Sequence, residues 1–354
     1  MYIEDNSLEK QKRNQGIDLI KILAMLMIVT LHVLGCGGIL GASVSNEKNC
    51  AVAWLLEVAA FGAVNLYGMA SGYLCTGKQI RYKNIGKLWL LVVFYTISIT
   101  AIFFVVVPGT VGPQQMINAV FPVMTAQYWY FTGYFCMFFF LPVMNAAIAH
   151  LEKRQLQMVL TASFLLFSVL PTVFGADPFH ENDGYSVLWL CVLYMAGGYI
   201  RTYGLFEKLP QAALILMYLV LSVITWATAW IRQGIEITLG GWISYLSPTI
   251  VFASLALFVA GTRIRIKRGQ KVLSLLASAT FGVYLIHTHP LIWHHLLYNR
   301  FVFLAGAGLR RLLPGLLAAV LAIFAGCMII ELIRHGICAG MKRLVAGKRT
   351  IVSK

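Results

Sequence analysis

The first long apolar run of the chain reads IDLIKILAMLMIVTLHVLGC over residues 17–36. Neither glycine nor proline interrupts this run before residue 35, and a helix of ~20 apolar residues is long enough to cross a bilayer. The run also carries the ionisable side chains Asp18, Lys21 and His32. Such groups are costly inside a membrane and usually have a function there. The run therefore predicts both a membrane-spanning fold and a site within it.

The composition extends this prediction to the whole chain of 354 residues. Apolar residues make up 59% and charged residues 12%, whereas soluble proteins have roughly 45–50% and about 25%. The mean hydropathy is +0.78. The apolar runs are continuous rather than alternating, which disfavours an outer-membrane barrel. We therefore predict an all-α, polytopic membrane protein, and not a soluble enzyme or a nucleic-acid-binding protein.

Apolar runs broken at charge clusters and turn residues predict a bundle of about ten transmembrane helices. With the N-terminus inside, most of the 28 lysine and arginine residues fall on the cytoplasmic side, so the positive-inside rule predicts that both termini are cytoplasmic. The predicted domains are an N-terminal tail (1–15), a transmembrane domain (16–337) and a basic C-terminal tail (338–354). The predicted spans are 17–36, 50–74, 85–107, 127–149, 156–174, 185–203, 210–231, 240–261, 272–298 and 312–333.

Three ionisable side chains on different predicted spans lie at a similar depth. His32 and His287 are each ~22 Å from the inner end of their spans, given a rise of ~1.5 Å per residue, and Glu57 is ~10 Å below the opposite boundary. Lys21 lies on the same helix face as His32, ~16 Å away along the axis. A structural role is the alternative, as a helix–helix hydrogen bond for His287 or as an ion-pair partner for Glu57.

A basic cluster of Lys78, Arg81 and Lys83 follows the second predicted span. Membrane topology alone can explain this cluster, and so can binding of a phosphorylated ligand, because closely spaced cations suit phosphates. Seven cysteines, an odd number, form no framework of disulfide or metal spacings, and we predict no metal. Pairing between Cys36 and Cys50, which flank one predicted outer loop, stays open.

The ionisable residues of the first span, the basic cluster and His287 fall within motifs that resemble those of the membrane-bound acyltransferase 3 family. Lys21 and His32 are separated by ten residues, as in the family's opening Arg-x10-His pattern, with lysine at the first position. Gln127 stands where the family often has histidine. Four later segments are also similar to family motifs, in the same order along the chain: 65–74, 78–81, 128–142 and 281–287.

The resemblance implies transfer of an acyl group, usually acetyl, from cytoplasmic acyl-CoA to a hydroxyl of a cell-envelope or secreted carbohydrate or glycolipid. The expected location is the cytoplasmic membrane. Three sets of residues are expected to bind the donor, bind the acceptor and carry out the chemistry. Acyl-CoA is expected at Lys21, Lys78, Arg81 and Lys83, the acceptor at Gln127, Trp129 and Tyr130, and the chemistry at His32, Glu57 and His287. We predict that His32 is the general base and that Glu57 orients its ring or stabilises the imidazolium. His287 or a tyrosine is predicted to donate to the oxyanion.

Two other functions stay open on the sequence. Intramembrane histidine, glutamate and lysine also build the proton relays of transporters, although no repeat of the first span is visible in the sixth. A membrane domain that binds substrate without catalysis is the second alternative. The identity of the acceptor and a possible homo-oligomeric state are not predicted from the sequence.

Overall fold

The first apolar run forms helix α1 (Gln15–Leu34) in a computed structural model that describes the backbone of residues 14–352 and the side chains of residues 14–341. A long apolar run folds as a helix in a bilayer because each backbone group must be paired within the chain. The Asn14 side chain caps the helix by accepting from the backbone N–H groups of Gly16 and Ile17, at 2.9 and 3.3 Å. The predicted N-terminal tail lies largely outside the described residues.

The rest of the described chain is also helical, and no strand occurs between residues 14 and 352. Short π-helical turns occupy Leu165–Val169 and Trp293–Leu297, and a 3-10 turn occupies Asn182–Gly184. The other helices are α2 (Ile39–Ser43), α3 (Glu47–Ala60), α4 (Ala63–Cys75), α5 (Lys83–Val106), α6 (Pro113–Val120), α7 (Trp129–Phe138), α8 (Leu141–His150), α9 (Lys153–Phe164), α10 (Leu170–Phe174), α11 (Val187–Tyr203), α12 (Gln211–Gln233), α13 (Pro248–Thr262), α14 (Gln270–His287), α15 (Pro290–Ile292), α16 (Val302–Ala305) and α17 (Gly308–Val352).

The all-α prediction is confirmed for the described residues, whereas the predicted count of about ten spans is not confirmed. Among the described residues, six helices are long and apolar enough to cross a membrane, or up to eight if each of two bent pairs is one span. The bends are 59° between α7 and α8 and 62° between α14 and the segment Pro290–Leu297. The predicted spans 185–203 and 240–261 become helices of 17 and 15 residues. The predicted boundary at residue 337 falls inside α17.

Helix α1 is the centre of the bundle and packs against α3, α4, α13, α14 and α17. Its two ends define what we call the proximal end of the bundle, where α1 begins, and the distal end, where α1 stops. Helix α14 runs parallel to α1, because Ser274 near its start donates to Asp18 at 3.0 Å and His287 at its end contacts His32. Helix α4 ends at the proximal end, where the Tyr67 hydroxyl donates to the Lys21 carbonyl at 2.7 Å.

Helices α4 and α11 pack closely through glycine. A Cβ atom on Gly72 would lie 1.8 Å from the carbonyl oxygen of Tyr194, and one on Gly197 would lie 2.0 Å from the carbonyl oxygen of Met69. Small residues of this kind allow the backbones of membrane helices to approach. The contact fixes α4, and with it the wall that faces α1.

Helix α17 carries a buried carboxylate that the sequence analysis did not single out. Glu331 is 1% exposed and accepts hydrogen bonds from Arg334 at 2.6 and 2.7 Å and from the Tyr95 hydroxyl of α5. His335 Nε2 is 2.9 Å from the same carboxylate. These contacts link α17 to α5 and satisfy a charge that would otherwise be costly in this position.

The glycine contact predicts opposite effects for two Gly→Ala changes in helices. We expect Gly197→Ala to destabilise the protein by roughly 1–3 kcal/mol, the usual cost of overpacking. Gly86→Ala in α5 is the control, because nothing lies within 4 Å of its added Cβ, and we expect it to stabilise by roughly 0.5–1 kcal/mol. Denaturant unfolding in detergent measures both, and equal effects would contradict the close packing.

Candidate active site

Two histidines from different helices meet at the distal end of the bundle. His32 lies in the last turn of α1 and His287 is the last residue of α14. His32 Nδ1 is 3.0 Å from His287 Nε2, and the two ring centroids are 5.1 Å apart. His287 is 1% exposed, whereas His32 is half-buried and lines a cavity. The pair therefore joins a buried imidazole to an accessible one.

The hydrogen bonds decide which nitrogen of each neutral ring carries the proton. His287 Nδ1 is 2.6 Å from the Val283 carbonyl oxygen, and a carbonyl only accepts, so Nδ1 must carry the proton. His287 Nε2 is then an acceptor, and His32 Nδ1–H is the group that donates to it. The remaining nitrogen, His32 Nε2, keeps its lone pair. His32 is thus held in the tautomer that a general base requires.

A cavity of about 580 Å³ surrounds the exposed side of His32. We call it the distal cavity. Its lining comes from the end of α1, from α3 and from the segment after the bend in α14. Trp293, the first residue of a π-helical turn, contacts the His32 ring edge-on with centroids 4.6 Å apart. Tyr185 and Leu239 line the cavity and are exposed, so the cavity opens to the surface.

Glu57 lies in the wall of the distal cavity without a hydrogen-bond partner at Oε2. The residue is 2% exposed, and a buried carboxylate oxygen without a partner is costly. The sequence analysis placed Glu57 at the depth of His32, and both line this cavity. The ring nitrogen that an orienting carboxylate would contact is instead bonded to His287. The Oε2 atom of Glu57 is therefore a buried acceptor without a partner in the cavity wall.

Aromatic rings form one side of the distal cavity. Trp129 and Tyr185 have ring centroids 4.4 Å apart, and Tyr185 and Tyr245 have centroids 5.0 Å apart. Gln127 also lines the cavity, and its Nε2 is 3.2 Å from His289 Nε2. Flat aromatic faces beside a carboxylate and an amide suit a ligand with both apolar C–H faces and hydroxyl groups.

Two further cavities continue from the distal cavity toward the proximal end. A middle cavity of about 70 Å³ shares His32, Trp129, Tyr245 and Tyr284 with the distal cavity. A proximal cavity of about 220 Å³ shares Tyr67, Tyr130 and Phe281 with the middle cavity. The three cavities run alongside α1, since Lys21 lines the proximal one and His32 the other two. The three cavities therefore form a row beside α1 that extends from Lys21 to His32.

The predicted cationic residues lie at the proximal end but not all in the cavity. Lys21 lines the proximal cavity. Lys78, Arg81 and Lys83 are exposed on the segment from the end of α4 to the first residue of α5. The backbone N–H of Lys78 donates to the carbonyl of Cys75 at 3.1 Å, and Cys75 lines the proximal cavity. The basic cluster is therefore near the entrance and not inside it.

Several residues of this site are not predicted from the sequence. Tyr284 lies one turn before His287 within a segment that matched a family motif, so its position gave a usable signal. Tyr185, Tyr245 and Trp293 lie in turns or after a bend, where no helical periodicity marks them. Tyr130, predicted at the acceptor, lines the middle and proximal cavities and not the distal one. Cys36 and Cys50 are free thiols, so the disulfide considered between them is absent.

Comparison with known proteins identifies the family of the chain. A family profile described as "Acyltransferase domain" matches residues 14–332. The chain belongs to the acyltransferase 3 family. Every residue of the two-histidine pair and of the three cavity walls falls within the matched range. No curated protein and no solved structure matches the chain. As an acyltransferase 3 member with several apolar helices, the protein is a multi-pass membrane protein of an acyltransferase family.

The hydrogen bond between His32 and His287 predicts non-additive effects on stability. In a double-mutant cycle of His32→Ala and His287→Ala, we expect a coupling energy of roughly 0.5–3 kcal/mol, as for residues in contact. The control cycle pairs His32→Ala with His150→Ala, an exposed residue at the end of α8. Unfolding in detergent measures both cycles. An additive His32–His287 cycle would mean that the two rings are not bonded.

Proposed function

We propose that this acyltransferase 3 member moves an acetyl group from acetyl-CoA at the proximal end to a hydroxyl of a carbohydrate at the distal end. The proximal end is then the cytoplasmic one, as the positive-inside rule indicates, and the carbohydrate belongs to the cell envelope or is secreted. The membrane is the cytoplasmic membrane. The reaction needs two substrates to meet at one base from opposite sides.

The observation that carries this proposal is the row of three adjoining cavities. They lead from Lys21 past Tyr67 and Tyr130 to His32. A pantetheine arm is long and thin, so the small middle cavity suits it better than it suits a sugar ring. The thioester would enter from the proximal side and reach His32, while the larger distal cavity would receive the acceptor.

His32 is the proposed general base. Its Nε2 takes the proton from the acceptor hydroxyl as the oxygen attacks the thioester carbonyl carbon. The positive charge that forms on the ring is stabilised by the hydrogen bond from His32 Nδ1 to His287 Nε2. His287 in turn donates to the Val283 carbonyl. His287 is therefore a positioning residue, the role that the sequence analysis gave to Glu57.

The tetrahedral intermediate then collapses with cleavage of the carbon–sulfur bond. The coenzyme A thiolate leaves and takes the proton from the His32 imidazolium, so the ring returns to its starting state. Both nitrogens of His287 are occupied, which leaves a tyrosine to stabilise the oxyanion. We favour Tyr284, which lines both cavities around His32. A two-step route through acyl-His32 is the variant of this mechanism.

Glu57 and the aromatic wall are the proposed acceptor site. The free Oε2 of Glu57 would accept a hydrogen bond from a second hydroxyl of the acceptor, which would satisfy a buried oxygen that has no partner. Trp129 and Tyr185 would stack on the sugar ring. Gln127 would add a hydrogen bond at the edge of the same cavity.

We expect His32→Ala to lower the rate of acetyl transfer at least ~100-fold, the lower range for loss of a general base. His287→Ala should lower kcat less, and His287→Gln should recover part of it, since the amide oxygen can still accept from His32 Nδ1–H. His150→Ala is the control, because that histidine is exposed and remote from the cavities. The assay uses protein in liposomes, labelled acetyl-CoA and envelope glycan fractions.

The same assay separates this proposal from the two other functions. A transporter or a membrane domain that only binds substrate would not consume the thioester when the acceptor is added. Full turnover by His32→Ala would remove His32 from the mechanism. Loss of O-acetyl groups from envelope glycans after deletion of the gene would identify the acceptor.

The basic cluster predicts a change in donor affinity. Lys78→Ala combined with Arg81→Ala should raise the KM for acetyl-CoA several-fold with kcat nearly unchanged, since the cations would contact only phosphates remote from the thioester. Lys267→Ala combined with Arg268→Ala is the matched control, because these cations are also exposed and lie on the loop between α13 and α14. An equal KM for both double variants would assign the cluster to membrane topology alone.

A further inference from the structure

A fourth cavity lies between α9, α11 and α13. It has a volume of about 600 Å³ and shares no residue with the three cavities along α1. We call it the α9–α13 fissure, because α9 and α13 form its two sides, α11 its back and Met69 of α4 its floor. Its walls are mostly aliphatic and aromatic, as at Leu160, Val192 and Leu255.

The fissure is closed at one end and open along its outer face. At the closed end Phe164 of α9 and Phe252 of α13 meet, with ring centroids 5.1 Å apart. Leu165 and Phe252, which line the fissure, are 50% and 38% exposed. Helix α9 is part of the candidate membrane span Lys153–Phe174. The open face is therefore turned toward the lipid.

A hydrogen-bonded polar pair lies at the proximal end of the fissure. Gln157 of α9 donates to the Tyr199 hydroxyl of α11 at 2.7 Å, and both residues line the fissure. One helical turn nearer the end of the bundle, Lys153 Nζ lies 5.8 Å from the centre of the Tyr203 ring. Lys153 is exposed and begins α9. The apolar fissure thus leads directly to a cation.

The charges around this end favour an anion. Lys153 and Arg154 are adjacent and exposed at the start of α9, and Lys208 is exposed on the loop between α11 and α12. The Arg263 guanidinium, just after α13, donates hydrogen bonds to the Leu209 and Phe206 carbonyls of that loop, at 2.6 and 2.8 Å. The acidic residues in the same region are Glu152 and Glu207, so the net charge of these side chains is positive. Basic residues at the end of a span attract anionic headgroups.

We propose that the α9–α13 fissure binds one anionic phospholipid, with an acyl chain between α9 and α13 and the phosphate at Lys153 and Arg154. An acyl chain matches the apolar walls, and the open face gives it entry from the bilayer. The charge at the proximal end distinguishes an anionic headgroup from a zwitterionic one. The bound lipid would fill the gap between α9 and α13 on the proximal side of the Phe164–Phe252 contact. This site is separate from acyl transfer and does not depend on it.

Photolabelling of the unmodified protein tests the site directly. The probe is phosphatidylglycerol with a diazirine near the middle of its acyl chain, added to protein in phosphatidylcholine nanodiscs. We expect the labelled peptides to come from α9, α11 and α13, and unlabelled phosphatidylglycerol to compete at least fivefold better than phosphatidylcholine. Labels spread evenly over the exposed faces of α5 and α12, or equal competition by the two lipids, would overturn the proposal. Preferential competition by a polyprenyl phosphate would also overturn it, in favour of a lipid-linked substrate.

Two kinds of variant distinguish binding of the acyl chain from recognition of the headgroup. Leu160→Trp should fill the fissure and remove most of the labelling, whereas Leu216→Trp on the exposed face of α12 should not. Lys153→Ala with Arg154→Ala should reduce the preference for phosphatidylglycerol over phosphatidylcholine but leave acyl-chain labelling in place. Lys267→Ala with Arg268→Ala is the charge-matched control. Acetyl transfer measured on the same samples should stay unchanged, which keeps this test independent of the proposed reaction.

Discussion

The hydrogen bond between His32 and His287 is the contact on which the site depends. It requires α1 and α14 to run parallel and in register, so that the last turn of one helix meets the last residue of the other. The Ser274–Asp18 bond sets the same register near the other end. Because few polar partners exist inside a bilayer, two such bonds define the alignment of the two helices strongly. The cavity walls follow from this alignment.

Depth in the membrane could be predicted from the sequence, whereas the direction of a side chain around its helix could not. The rise per residue is nearly constant, so His32, Glu57 and His287 were placed at one level by counting residues. Counting does not determine which of two candidates at that level contacts His32. In the structure His287 is the residue that contacts His32. Counting cannot show this, because the orientation of α14 relative to α1 depends on packing along their whole length.

The count of about ten spans is not confirmed, because two of the predicted spans form helices of only 17 and 15 residues. Hydropathy measures how apolar a segment is but not whether it stays straight. Pro142 and Pro290 stand at the start of new helices, and at both places the chain bends by about 60°. Proline lacks an N–H group and restricts the residue before it, so a helix commonly ends there. Tyr185 and Tyr245 lie in loops between helices, where neither hydropathy nor periodicity marks a functional residue.

The small middle cavity has a consequence for the cell as well as for the reaction. A protein with an aqueous passage from one membrane surface to the other would conduct ions and discharge the membrane potential. Here the narrowest part is lined by aromatic and aliphatic side chains such as Phe281, Tyr130 and Ile28, and apolar constrictions of this kind exclude hydrated ions by staying dry. In the proposed reaction the middle cavity would admit a thin organic arm to His32 and would still exclude hydrated ions, so the membrane would stay electrically insulated.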